Sequence, residues 1–135
     1  MNPILKNILA AVVGIVIGSL VNFGIISISG SIIPPPEGVD MTTTEGLKEG
    51  MKLMQPKHFI LPFLAHALGV LVGAFIVTKL AASYHFRLAI FIGVWFLLGG
   101  IAAVTMMPGA PIWFIALDLL VAYLPMAWLG HKLAS

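Results

Sequence analysis

The chain has 135 residues, of which 60% are hydrophobic and only 9% charged, with a formal net charge of +2 and a mean hydropathy of +1.09. A soluble domain carries about 45–50% apolar and roughly 25% charged residues, and a chain this short buries too little of its surface to hide the excess. A soluble enzyme, a disordered segment and a nucleic-acid module are therefore excluded. The seven basic residues are scattered rather than gathered into a patch, and the lack of cysteine removes disulfides, thiol catalysis and thiolate metal sites.

In chain order, the first uncharged block runs from Asn7 to Pro36, between Lys6 and Glu37. About 20 helical residues cross roughly 30 Å of hydrocarbon, so one span is predicted at about 8–28. Ser27-Ile28-Ser29 after an apolar stretch has the form of a signal-peptide cleavage site. The stretch exceeds the usual apolar core of such a leader, and it is expected to remain as a helix.

The segment 30–57 is the one extended polar stretch. Pro34-Pro35-Pro36 reads as extended chain and Glu37-Gly38 as a turn. Thr42 with Glu45 three residues later matches a capping box, which predicts a short amphipathic helix over 43–54. Leu47, Met51 and Met54 share its apolar face, suited to lying on a membrane or capping the mouth of a bundle.

A second span is predicted over 59–79, with His66 as its one ionisable residue before Lys79. From Leu88 to Gly130 the chain is uncharged except for Asp118. That block is far too long for one crossing, and Met107-Pro108-Gly109-Ala110-Pro111 breaks it with a turn signal. Spans at about 87–107 and 111–131 follow, with a kink expected at Pro125. The fold class is an all-α integral membrane four-helix bundle: one domain of antiparallel up-down spans, with the lipid bilayer as its solvent.

Orientation follows from the basic residues near the span ends. Lys6, Lys79, Arg87 and Lys132 fall on one side with no acid, whereas Lys48, Lys52 and Lys57 face Glu37, Asp40, Glu45 and Glu49 on the other. Both termini are expected to be cytoplasmic and the 30–57 loop outside.

Close helix contacts in lipid use small residues. Gly14 and Gly18, followed by Asn22, match Gly69 and Gly73, preceded by His66. The first and second spans should therefore meet along these glycines with Asn22 near His66. Asn22, His66 and Asp118 each lie six or seven residues from the outer end of their predicted spans, roughly 10 Å deep. A charged Asp at such depth costs at least about 2.5–3.5 kcal/mol and faces protein or water with a partner. His66 is the natural partner. Trp95, close to mid-span, and Tyr123 are secondary ligand candidates.

Two function classes stay open: binding or translocation of a small solute, ion or proton at Asn22, His66 and Asp118, or a non-catalytic assembly component in which these residues form a structural clasp. The second class would use small-residue faces for a homo-oligomer or a membrane partner. A membrane-embedded enzyme is a third reading, weakened because only Ser19 approximates a nucleophile near His66. No hydrolase elbow, phosphate loop or zinc-protease motif is present, and no cofactor, metal or nucleic-acid partner is implied.

Overall fold

The computed structural model describes residues 1–40, 42–106 and 109–135. Four helical stretches in it are long and apolar enough to cross a membrane: Pro3–Ile32, Pro56–Leu80, His85–Met106 and Ile112–Ala134.

Helix α1 (Pro3–Ile32) is longer at both ends than the predicted 8–28. Asn2 caps it by accepting from the Ile4 amide at 2.8 Å, and Pro3 fills the first turn, where its missing N–H is not needed. Nothing stops the helix until Ile33, which precedes Pro34 and is extended (φ −127°, ψ 94°), as the clash with a following proline ring requires. The charged residues locate the apolar block. Capping and proline sterics locate the helix.

Helix α2 (Thr44–Leu53) occupies the polar segment, but Thr42 does not cap it as the capping box predicts. The Asp40 carboxylate accepts from both the amide and the hydroxyl of Thr42. These bonds hold the Asp40 carboxyl below its ordinary pKa and occupy Thr42. The cap is Thr43, whose hydroxyl accepts from Gly46 at 2.9 Å. Leu47, Met51 and Met54 are partly buried while Lys48, Glu49 and Lys52 are exposed.

A 3-10 turn (Pro56–Phe59) leads into α3 (Ile60–Leu80), and α4 (His85–Met106) follows. Met107 and Pro108 of the predicted turn lie outside the described residues, and Gly109 beyond them takes φ +104°, a conformation open to glycine. The predicted fourth span is two helices, α5 (Ile112–Val121) and α6 (Leu124–Ala134). The break falls at Ala122–Tyr123 rather than at Pro125 itself. Pro125 has no N–H for the Val121 carbonyl, and its ring crowds that carbonyl one turn back, so the disruption appears upstream of the proline.

Helix α3 is the centre, packed on α1, α4 and α6, whereas α1 packs almost wholly on α3. The α1–α3 crossing is backbone to backbone: a Cβ at Gly14 would lie 2.8 Å from the Gly73 carbonyl oxygen, and one at Gly18 2.6 Å from that of Gly69. Residue numbers rise along one helix as they fall along the other. The core is made mostly of small side chains, among them Ala67, Val70, Ala74, Val77, Ala89 and Ala127. Large apolar side chains such as Leu20, Phe23, Leu98 and Leu120 point outward. That is the reverse of a water-soluble bundle.

Both ends are pinned. At one, Asn7 Oδ1 accepts from the Ala82 and Ser83 amides at 2.8 and 3.2 Å, and its Nδ2 donates to Ser83 Oγ at 3.0 Å. Thr78 and His131 join α3 to α6 there at 3.2 Å. At the other, Phe59 packs on Trp113 and Phe114 with ring centroids 5.6 and 4.5 Å apart, and Met51 of α2 lies against Gly109.

Candidate functional site

His66 enters from the second turn of α3 and Asp118 from the second turn of α5, each six residues past its helix start, or about 9 Å along the axis. Equal depth on neighbouring helices lets them meet. His66 Nδ1 donates to Asp118 Oδ1 at 2.8 Å, the length of a charge-assisted bond. The Asp118 side chain is 6% exposed and that of His66 is 25% exposed.

Tyr123 completes the arrangement. Its hydroxyl donates to Asp118 Oδ2 at 3.3 Å, and its ring stacks beside the imidazole with centroids 5.9 Å apart and planes 23° from parallel. On an unbroken helix the i, i+5 offset would turn Tyr123 well away from Asp118. The break at Ala122–Tyr123, where Tyr123 takes φ −110° and ψ −81°, brings the two to one carboxylate. Gly100 of α4 leaves room for the phenol, because a Cβ there would collide with the Tyr123 hydroxyl and ring. Sequence reading had no means to see this role of Gly100, since it depends on a neighbour reached through the broken helix.

The other candidates stand apart. Asn22 is not hydrogen-bonded to His66: the register that sets Gly14 against Gly73 and Gly18 against Gly69 carries it to the level of the His66 turn, and its Cβ lies 3.3 Å from the position a Gly69 Cβ would take. Asn22 Oδ1 is buried and, among the described residues, has no hydrogen-bond partner. Trp95 is half-exposed on α4, and its ring neighbours Phe91 at 6.3 Å, away from the carboxylate.

The resulting centre is a carboxylate with both oxygens occupied by donors, one of them an imidazole. Among the described residues only Nδ1 of that ring is hydrogen-bonded. With Nδ1–H committed to Asp118, the Nε2 lone pair is left to accept a proton or a donor group. No family model matches the chain, and no curated protein or solved structure shows significant similarity to it.

Proposed function

We propose that the protein is an integral membrane protein of four antiparallel spans that binds or translocates a proton or a small polar solute through His66, Asp118 and Tyr123. Both termini then lie on the cytoplasmic side, with the 30–57 segment outside. The observation that carries this reading is the 2.8 Å bond between a buried carboxylate and a part-exposed imidazole, set among helices apolar enough to cross a membrane. Ionisable groups inside spans are expensive and mark ion or proton pathways. Proton uptake at Nε2 turns a neutral imidazole beside a carboxylate into an imidazolium–carboxylate pair. A solute carrying an O–H or N–H group would use the same lone pair.

A second reading has its own support. Both Asp118 oxygens are satisfied within the protein, which is what a structural clasp between α3 and α5 needs. Replacing one partner of a buried pair costs about 3–5 kcal/mol, whereas replacing both by apolar residues costs much less. The double variant His66→Leu with Asp118→Leu therefore folds under either reading, and its activity separates them. In lipid, the His66 ring nitrogens are followed by NMR from about pH 4 to 9, and dissipation of a pH gradient is followed in proteoliposomes. The expected result is a titrating His66 and a flux that the double variant lacks although it folds. An imidazole whose resonances never move, with a gradient held equally by wild type and double variant, would sink the proton-binding version.

A further inference from the structure

At the end of the bundle held by Asn7, four side-chain cations come together from four helices: Lys6 at the start of α1, Lys79 at the end of α3, Arg87 in the first turn of α4 and Lys132 at the end of α6. The Asn7 bonds to Ala82 and Ser83 and the Thr78–His131 contact set them at one level. The acids lie elsewhere: Glu37, Asp40, Glu45 and Glu49 in or beside the α2 segment, and Asp118 inside the bundle. Among the described residues the ion pairs are Lys52–Glu49 and His66–Asp118, so none of these four cations has a carboxylate partner.

Three of them rest on aromatic rings instead. Lys79 Nζ is 5.8 Å from the Phe75 centroid, Arg87 Cζ 5.4 Å from Tyr84 and Lys132 Nζ 4.9 Å from Trp128. Helical side chains lean toward the N-terminus of their helix, so Lys79 and Lys132 fold back over the ring four residues earlier, toward the apolar girth of the bundle. Tyr84 takes φ +53°, a strained conformation for a non-glycine residue. Its ring is largely exposed beneath Arg87, and the Trp128 ring is half-exposed. Each ring covers one side of its cation and leaves the remaining N–H donors open.

We infer that this end of the bundle is a docking surface for the phosphate groups of anionic phospholipids, held by Lys79, Arg87 and Lys132 with Lys6 beside them; the inference rests on the membrane-spanning reading above. Charge complementarity selects an anion. Each cation stands on a different helix and is exposed, so separate headgroups can reach them one by one. Aromatic rings with cations just beyond them are the arrangement that sits at headgroup depth.

The test uses the full chain in detergent, with thermal unfolding and native mass spectrometry in the presence of phosphatidylglycerol or phosphatidylcholine of matched acyl chains, or inorganic phosphate. The expected result is preferential retention of phosphatidylglycerol and stabilisation by it, with no effect of inorganic phosphate. Each surface cation contributes about 1 kcal/mol toward an anionic leaflet, or about fivefold in preference. Lys79→Gln, Arg87→Gln and Lys132→Gln should therefore lower the preference stepwise, and raised salt should lower it in the wild type without any substitution. Equal retention of the two lipids, or a preference indifferent to salt and to the triple variant, overturns the inference. So does inorganic phosphate reproducing the stabilisation, or an acidic protein displacing the lipid. Alkaline carbonate extraction tests the parent reading separately: a chain released from membranes refutes the spanning proposal itself, whereas a retained chain without lipid preference refutes only the docking surface.

Discussion

Asp118 is held by two donors of unequal quality, and the inequality is measurable. The His66 bond is 2.8 Å and the Tyr123 bond 3.3 Å, so the imidazole is the stronger partner. Tyr123→Phe should cost about 1 kcal/mol, the usual net worth of one hydrogen bond, because His66 remains on the carboxylate. His66→Leu should cost several times more by leaving Asp118 nearly uncompensated. Unfolding in mixed micelles measures both, and equal losses would reverse the ranking. The His66–Asp118 pair was legible in the sequence because two ionisable residues in apolar runs at matched depth must find each other. Tyr123 was named only as a secondary candidate, and its place beside the carboxylate could not be read, because it depends on a break two residues upstream of the proline that causes it. Asn22 reaches the level of His66 through the glycine register of α1 on α3, but spacing alone could not tell that its Oδ1 stays without a hydrogen-bond partner among the described residues.

Among the four long apolar stretches, α1 leans almost wholly on one neighbour, α3. It meets α3 through carbonyl oxygens that already approach the space a side chain would need. Gly69→Leu should therefore separate α1 from α3 and lower the unfolding temperature in detergent far more than Leu68→Ala on the exposed side of the same helix. Similar losses would mean that the crossing adds little to stability. The four long apolar helices were readable from charge-free stretches alone, since helix length and hydrocarbon thickness are tied together. The ends of α1 and the cap of α2 were not, because each depends on one local contest: Asn2 and Pro3 at the start of α1, Ile33 before Pro34 at its end, and Thr43 once Asp40 had occupied Thr42.

For the whole molecule, the distribution of charge between the two ends bears on orientation. The Asn7 end carries Lys6, Lys79, Arg87 and Lys132 without an acid, whereas α2 and its neighbours at the other end mix both signs. Basic residues close to span ends resist transfer across the membrane. A phosphatase reporter that works only outside the cell should therefore be silent when fused after Ser135 and active when inserted near Gly38. The opposite pattern would overturn the proposed orientation. The small-residue core and the large apolar exterior suit the proposed membrane setting, in which lipid rather than water would solvate the outer faces.

The grip of Asn7 also bears on the order in which the chain is built. This one side chain satisfies two backbone amides and a hydroxyl of the turn between α3 and α4, at a separation of 75 and 76 residues. The glycine seam of α1 likewise has no partner until α3 has been made. Helix α1 would therefore stand beside the nascent chain, complete in its own backbone bonds yet unattached, until α3 and the turn after it have been made. A chain that stopped before Gly69 would leave a lone apolar helix with an open seam, whereas one that stopped between α3 and Ala82 would close the seam and leave only the Asn7 side chain without its partners.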